Sequence, residues 1–211
     1  MVKFFKNKRN IVLGVSLLLF VVLLFLIKLD IIDYVDNHIS SFMINIRSEK
    51  LTKTMILLTN IGGAYSLLSI SLLLFIYMFI FMKDKKKPLI IFINLVSVFF
   101  FNRVLKLIFG RSRPDEDFLV AASGYSFPSG HAMVLPAYLL FITYLVLKNS
   151  KSKLFKAIFC IFSFIMIIAV GFSRIYLGVH YFSDVIGGFL MAVIYLVIFL
   201  NILDKIGVKY E

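Results

Sequence analysis

The amino-acid sequence predicts an all-helical integral membrane protein built around a bundle of six transmembrane helices. Hydrophobic residues make up 61% of its 211 residues, whereas charged residues make up only 16%. A water-soluble domain of this length could not bury that much apolar surface. Most of the lysines and arginines behind its net charge of +12 lie in short clusters between long apolar runs. That distribution is typical of membrane proteins and argues against a nucleic-acid-binding surface.

Six apolar runs approach the length of about 20 helical residues that crosses a bilayer. In chain order they are residues 11–27, 64–82, 89–109, 133–147, 154–172 and 185–203. The first run has the basic start of a signal peptide, but no small-x-small cleavage site follows it, so we predict a retained anchor. The fourth run is short and contains Pro136, which leaves its start open. We find no second domain and predict a single domain over residues 1–211.

Clusters of basic residues predict how the six spans are oriented. The clusters precede span one, separate spans two and three, separate spans four and five, and follow span six. Their members are Lys3, Lys6, Lys8, Arg9, Lys83, Lys85, Lys86, Lys87, Lys148, Lys151, Lys153, Lys156, Lys205 and Lys209. With six spans all four clusters fall on one side, which the positive-inside rule makes cytoplasmic. We therefore expect a multi-pass protein of the cell membrane with cytoplasmic termini and three extracytoplasmic segments.

The first of those three segments, residues 28–63, is predicted to contain a short interfacial helix. Its apolar residues recur at helical spacing with polar residues between them. They are Ile32, Val35, Ile39, Phe42, Met43 and Ile46. Such a helix lies either in the membrane interface or packed on the other spans, and the pattern fits both. Residues 59–63, Thr-Asn-Ile-Gly-Gly, are typical of a turn before span two.

The other two segments predict a phosphate-binding site, because ionisable groups beside spans are costly and usually functional. Lys106, Arg113 and Arg174 would place three positive charges at the same end of the bundle. They would repel one another without an anion, and a phosphate would relieve that repulsion and accept their hydrogen bonds. Ser129 and Gly130 stand where span four begins, so amides of a helix N-terminus would also face the phosphate.

Two of the three histidines border the predicted phosphate site. His180 and Asp184 are four residues apart, so on a helix they would share a face. The carboxylate would hold one ring nitrogen and leave the other free to attack phosphorus. His131 has no acidic neighbour and suits a general acid that protonates the leaving oxygen. His131, His180 and Asp184 are also residue types that bind metals, but the neighbouring cations would make a bound dication unfavourable.

Several nearby features receive structural interpretations. Arg103 lies one helical turn before Lys106, where it would line the pocket or pair with a carboxylate, and we favour the structural role. The acidic run 115–117, Asp-Glu-Asp, is interpreted as a solvated loop that can contact a headgroup. Cys160 is the single cysteine, so neither an intrachain disulfide nor a cysteine-based metal site is expected.

Three motifs, taken together in this order, resemble a known family signature. They are Lys-x6-Arg-Pro at 106–114, Pro-Ser-Gly-His at 128–131 and Ser-Arg-x5-His-x3-Asp at 173–184. This is similar to the three-part signature of the type 2 phosphatidic acid phosphatase superfamily, and all three parts are present without substitution. The six-span layout also resembles the bacterial membrane members of that superfamily.

The resemblance implies roles that match those argued from the residues. Phosphate binding is implied for Lys106, Arg113, Ser129, Gly130 and Arg174. Catalysis is implied for His180 as the nucleophile of a phosphohistidine intermediate, for Asp184 as its orienting group and for His131 as the general acid. Neither a metal nor an organic cofactor is implied.

The membrane framework favours a phosphorylated lipid as substrate. The substrates of bacterial members of the superfamily are phosphatidylglycerol phosphate, undecaprenyl pyrophosphate and phosphatidate, and we regard the first two as leading. Two other functions stay open. One is a membrane protein that binds or carries phosphorylated lipids without hydrolysing them. The other is a vanadate-dependent oxidant, because haloperoxidases share the signature although they lack the membrane framework.

Overall fold

A computed structural model describes residues 2–114 and 118–207, with side chains from residue 7 onward, and these ranges contain eight α-helices. In chain order the helices are α1 (Val2–Lys28), α2 (Asp33–Asn45), α3 (Glu49–Ile61), α4 (Ala64–Phe81), α5 (Lys86–Phe109), α6 (Gly130–Asn149), α7 (Lys153–Tyr176) and α8 (Phe182–Lys205). Six of them, α1 and α4 to α8, are long and apolar enough to cross a membrane. The prediction of an all-helical bundle of six spans is therefore confirmed.

The fourth span begins before the apolar run that predicted it. Helix α6 begins at Gly130, three residues before the predicted start, and continues to Asn149 with Pro136 inside it. A proline normally interrupts a helix because it lacks an amide hydrogen and crowds the preceding turn. Here Pro136 is buried among neighbouring helices, a setting in which transmembrane helices tolerate proline. The early start matters because it makes Gly130 the first residue of the helix.

Helices α6 and α8 form the centre of the bundle. Half of the apolar stretch of each is buried, compared with 17% in α1 and 11% in α4. The two helices approach closely at Gly188, where an added Cβ would lie 2.9 Å from the Ala132 Cβ and 3.0 Å from the Ser129 carbonyl oxygen. Small residues allow such close helix packing in membranes. This contact fixes the start of α6 against the first turns of α8.

The peripheral helices expose large apolar side chains. Leu18 of α1, Leu73 of α4 and Phe164 of α7 are each more than 60% exposed. Continuous apolar surface of this kind marks a face that another apolar phase covers. Because these helices are long enough to span a bilayer, the exposed faces are the lipid-facing surface.

The segment between α1 and α4 folds into two helices rather than the single predicted helix. Ser48 separates them and caps α3 by accepting a hydrogen bond from the Leu51 amide. Helix α2 packs on α7 and α8, and α3 packs on α7, so the packed alternative describes this segment. Helix α3 continues through Ile61, so the turn predicted over residues 59–63 is confined to Gly62 and Gly63.

Helix α2 packs through a face that includes a carboxylate. Met43 is buried as the apolar period predicts, but Phe42 and Val35 are exposed. Asp36, which the polar pattern placed between the apolar positions, is only 1% exposed. The apolar pattern alone therefore assigned the wrong face to part of this helix, because Asp36 is drawn inward by partners described below.

Candidate active site

The three segments that carry the predicted site residues converge at the α2–α3 end of the bundle. Helix α5 ends at Gly110, whose left-handed φ of 59° stops the helix and turns the chain into the loop that leads to α6. The end of α7 and the turn before α8 lie beside this loop, as the 3.1 Å hydrogen bond from the Leu119 amide to the Leu177 carbonyl shows. The structure brings together all eight predicted residues: Lys106, Arg113, Ser129, Gly130, His131, Arg174, His180 and Asp184.

Backbone carbonyl oxygens hold the charged groups of Lys106 and Arg113. Lys106 Nζ donates to the Ser126 carbonyl at 3.0 Å, and Arg113 donates to the carbonyls of Gly124 at 2.9 Å and Val179 at 2.7 Å. Burial lowers the pKa of the Arg113 guanidinium from its ordinary value. That is the direction expected of a cation that lacks a direct counter-charge.

Two buried donors of the converging residues have no hydrogen-bond partner within the part of the chain that the structure describes. They are the Nε of Arg174, a residue that is 6% exposed, and the Oγ of Ser129, which is fully buried. Arg174 otherwise donates to the Thr59 hydroxyl. Among the described residues, no carboxylate lies within ion-pair distance of the three cations. An unpaired buried donor costs about 1–3 kcal/mol, so the site is arranged to receive an anion.

The start of α6 is placed as predicted. Ser129 is the N-cap of α6 and Gly130 is its first residue. The Ser129 amide donates to the Asp184 carbonyl at 3.0 Å, which ties α6 to α8. An added Cβ on Gly130 would lie 3.1 Å from the Asn102 Oδ1 of α5, so this position favours glycine. A helix N-terminus at this point adds positive potential for an anion.

His180 and Asp184 meet, although not as members of one helix. His180 lies in the turn before α8, and Asp184 lies in the first turn of α8, so the predicted shared helical face is wrong. The Asp184 carboxylate folds back over the helix start and accepts from the Tyr181 amide at 3.0 Å, as in a capping box. This geometry brings Asp184 Oδ2 to 3.3 Å from His180 Nδ1. Helix capping, and not a shared helical face, therefore brings the Asp184 carboxylate to the His180 ring.

The His180 ring is buried and faces the cations with its second nitrogen. Nε2 lies 3.4 Å from an Arg113 terminal nitrogen. Burial lowers the pKa of His180 to about 4, although the neighbouring Asp184 carboxylate acts to raise it. The ring is therefore neutral at neutral pH. Because the carboxylate accepts from Nδ1, the lone pair of the neutral ring is on Nε2.

His131 faces the same cluster from the first turn of α6. It lies close enough to Arg174 and His180 for their charges to act on it, and it hydrogen-bonds to the Thr59 backbone. An added Cβ on Gly63 would stand 3.6 Å from His131 Nε2. The end of α3 thus contacts both His131 and Arg174 through Thr59, a residue that the sequence placed in a plain turn.

Arg111 and Asp36 form a charged network behind Asp184 that the sequence did not predict. Arg111 donates to Asp184 Oδ1 at 2.8 Å and to Asp36 Oδ2 at 3.0 Å. Burial acts to lower the pKa of Arg111, but the two carboxylates raise it above its ordinary value. Arg111 lies two residues before Arg113 in the same basic stretch, which was the available signal for it. No spacing rule could link it to Asp36, which lies 75 residues away.

Ser126 is a further partner of Asp184 that was not predicted. It is fully buried, and its hydroxyl donates to Asp184 Oδ2. Asp184 therefore receives hydrogen bonds from four groups: the His180 ring, the Tyr181 amide, the Ser126 hydroxyl and the Arg111 guanidinium. A carboxylate has only about four acceptor positions, so this one is held in a single orientation.

Three other sequence-based interpretations have different outcomes. Arg103 is exposed and lies over the Phe99 ring at 5.3 Å, and no described carboxylate pairs with it. The acidic run Asp115, Glu116 and Asp117 lies outside the described residues. Across the parts of the chain that the structure describes, no three His, Cys, Asp or Glu side chains are grouped to hold a metal.

The chain is similar in sequence and in fold to bacterial proteins of the PAP2 type. The sequence model of the PAP2 superfamily matches residues 87–207. Phosphatidylglycerophosphatase B of Bacillus subtilis (strain 168) is 34% identical over 176 residues, which cover 82% of this chain and 85% of that protein. The crystal structure of the first transmembrane PAP2 type phosphatidylglycerolphosphate phosphatase from Bacillus subtilis gives a TM-score of 0.83 at 30% identity, covering 92% of this chain and 96% of that chain. The crystal structure of Aquifex aeolicus LpxE gives a TM-score of 0.56 at 29% identity, covering 79% and 95%.

Inorganic phosphate is expected to raise the unfolding temperature of the purified protein in detergent, because it would bind the folded cation cluster and not the unfolded chain. Phosphate at about 100 times its Kd would add about 2.7 kcal/mol of stability. Arg174→Gln should abolish the shift at constant ionic strength, whereas Lys53→Gln, which changes an exposed cation of α3 paired with Glu49, should keep it. An equal shift in Arg174→Gln and wild type would contradict the assignment of the anion site.

The protonation of His180 can be followed by NMR with 13C-labelled histidine, because the chain has only three histidines. The signal that disappears in His180→Asn should keep the shift of a neutral ring as pH falls to about 5 and change only as pH approaches about 4. The pKa of His180 is lowered because burial penalises the charged form of the ring. A titration centred near the solvated value of about 6.5 would show instead that the ring is hydrated.

Proposed function

The chain belongs to the PAP2 superfamily and is a multi-pass membrane phosphatase, and on that premise we propose that it hydrolyses a phosphorylated lipid through a phosphohistidine on His180. One observation carries this proposal. Arg174 Nε and Ser129 Oγ are buried without a hydrogen-bond partner among the described residues, two further cations, Lys106 and Arg113, belong to the same site, and His180 Nε2 lies 3.4 Å from Arg113. We also propose that residues 1–211 act as one domain, which the packing of α2 and α3 on α7 and α8 supports.

Binding of the terminal phosphate would use the cations and the helix start. Lys106, Arg113 and Arg174 would surround the phosphate oxygens, and Arg174 would use its unpaired Nε as one of the donors. Ser129 would donate its hydroxyl, and Gly130 would let the backbone approach. The charge that three cations supply is the kind that a phosphoryl-transfer transition state requires, so the proposed steps do not need a metal.

In the first step His180 would attack the bound phosphate. The Nε2 lone pair forms a bond to phosphorus, the bond from phosphorus to the leaving oxygen breaks, and His131 gives that oxygen its proton. Asp184 stabilises the positive charge that develops on the His180 ring through its contact with Nδ1. The dephosphorylated product then leaves.

In the second step water would hydrolyse the phosphohistidine. His131, now without its proton, takes a proton from the water, whose oxygen bonds to phosphorus as the bond to Nε2 breaks. Inorganic phosphate leaves, and His180 returns to its neutral form. Because the pKa of free His180 is about 4, the attacking form is available throughout the neutral range.

Phosphatidylglycerol phosphate is the first substrate we propose, and undecaprenyl pyrophosphate is the second. The similar sequence and the similar crystal structure from Bacillus subtilis are both named as a phosphatase of the former lipid. In both substrates the group to be removed is a terminal phosphate on a membrane anchor. Helices with lipid-facing apolar surfaces surround the site, which favours a substrate that diffuses within the bilayer.

We propose that the site faces the extracytoplasmic side and that both termini are cytoplasmic. The basic residues between α4 and α5 and between α6 and α7 lie at the opposite end of the bundle from the site. Such clusters stay in the cytoplasm during membrane insertion. Both points support hydrolysis on the outer side of the cell membrane.

Replacing His180 with alanine is expected to lower phosphate release by more than about 1,000-fold, because it removes the nucleophile. The assay would use phosphatidylglycerol phosphate in detergent micelles with EDTA present. His38→Ala is the matched control, because His38 is exposed on α2 and stacks only on Tyr34. Release at the wild-type rate by His180→Ala would refute the proposed step. Lipid binding without hydrolysis by the wild-type protein would instead support the binder or carrier alternative.

Sidedness can be tested with single cysteines in a Cys160→Ser background and a maleimide that does not cross membranes. Ala121→Cys lies at an exposed position of the loop before α6, and Lys151→Cys lies at an exposed position between α6 and α7. Intact cells should label at position 121 only, and broken cells at both positions. Labelling of position 151 in intact cells would invert the proposed topology.

A further inference from the structure

We propose that Asp36 of α2 is a positioning residue for the reaction, acting through Arg111 on the carboxylate that orients His180. The inference rests on the proposed role of His180 and adds to it a residue from a different part of the chain. Asp36 lies before the segment that matches the PAP2 superfamily, and none of the three motifs contains it.

The contacts of Asp36 lead directly to the candidate catalytic residues. Its Oδ1 accepts from the Ser183 amide at 2.9 Å, and its Oδ2 accepts from the Ser183 hydroxyl and from Arg111 at 3.0 Å. Arg111 donates in turn to Asp184 Oδ1 at 2.8 Å. One guanidinium therefore bridges a carboxylate of α2 and a carboxylate of α8.

The charge balance shows why neither carboxylate can be changed without affecting the other. Asp36 and Asp184 are both almost completely buried, and Arg111 is the cation that lies between them. Removing one member of such a buried set leaves an uncompensated charge. Without the charge of Asp36, Arg111 would keep the Ser183 hydroxyl and the more distant Asp33, but Asp184 would be its one close carboxylate among the described residues and would draw the guanidinium toward itself.

The geometry explains how a shift of Arg111 would reach His180. Arg111 occupies Asp184 Oδ1, which leaves Oδ2 for the His180 ring, the Tyr181 amide and the Ser126 hydroxyl. The planar guanidinium fixes its two partners relative to each other. If Arg111 moves, the carboxylate can rotate, and the contact that holds Nδ1 loses its alignment.

A role limited to anchoring α2 would not require this arrangement. Met43 and half-buried Ile39 already pack α2 on its neighbours through apolar contacts. Asp33, one turn earlier on the same helix, lies 3.9 Å from Arg111 with a side chain that is 48% exposed. A long contact to a carboxylate that is about half exposed contributes little, so Asp33 provides a natural comparison with Asp36.

The test measures kcat and KM for a short-chain phosphatidylglycerol phosphate with Asp36→Asn, Asp33→Asn and wild-type protein, each normalised to folded protein after size-exclusion chromatography. Asp36→Asn should lower kcat by about 10- to 100-fold, the cost of a small misplacement of a catalytic group. Its KM should change by less than about twofold, because Lys106, Arg113 and Arg174 are untouched. Asp33→Asn should keep both constants near the wild-type values.

Other outcomes overturn the proposal. An unchanged kcat in folded Asp36→Asn removes the positioning role, and a raised KM with unchanged kcat assigns the contact to substrate binding. If Asp36→Asn does not fold, Arg111→Lys provides the test, because lysine keeps the charge but cannot bridge two carboxylates. A wild-type kcat in Arg111→Lys then overturns the proposal. If the wild-type protein releases no phosphate, the proposed function is wrong. If wild type and Asp36→Asn release phosphate at the same rate, only the positioning role of Asp36 is wrong.

Discussion

The buried carboxylate of Asp184 is the contact on which the rest of the site depends. It accepts hydrogen bonds from the Tyr181 amide at the start of its own helix and from the Ser126 hydroxyl in the loop before α6. It also accepts from Arg111, which links it to Asp36 of α2. The remaining contact is with His180. His180 and Tyr181 belong to the turn before α8, Ser126 and Arg111 belong to the loop between α5 and α6, and Arg111 extends the set to α2, so one acceptor with about four positions brings three segments into register. The same interaction that caps a helix thus sets the orientation of the proposed nucleophile.

The opposite half of the site is built from unsatisfied positive charge. Lys106, Arg113 and Arg174 are held by neutral oxygens, while the available carboxylates are used by Arg111 on the far side of His180. This separation leaves an excess of positive charge where a phosphate would bind and a negative partner where the His180 ring needs orientation. Carboxylate partners for the three cations would neutralise this excess of positive charge and weaken its attraction for phosphate. Close packing of α6 on α8 at Gly188 keeps the two halves together.

The sequence predicted the spans and all eight residues that converge, because apolar length and cationic residues at span ends are local signals. It assigned the wrong geometry to His180 and Asp184, and it missed the roles of Asp36 and Thr59, whose partners lie far along the chain. The pairing of His180 with Asp184 was expected from helical spacing, but it arises from capping by a residue that turns back over the helix start. Asp36 was assigned by its polarity to an outer face, because nothing in its neighbourhood indicates the arginine that lies far along the chain. Thr59 was assigned to a turn for the same reason, although it contacts Arg174 from the end of a helix.

The central claim, that His180 carries the phosphoryl group between the two half-reactions, is tested most directly by trapping that intermediate. Wild-type protein would be mixed in excess with phosphatidylglycerol phosphate labelled at its terminal phosphate, quenched within a single turnover in alkali and digested for mass spectrometry. Alkaline conditions are needed because phosphohistidine is lost in acid. The account predicts the label on the peptide that contains His180, appearing before free phosphate and absent in His180→Asn. Phosphate released within that turnover without any labelled His180, or a label on another residue, would contradict it.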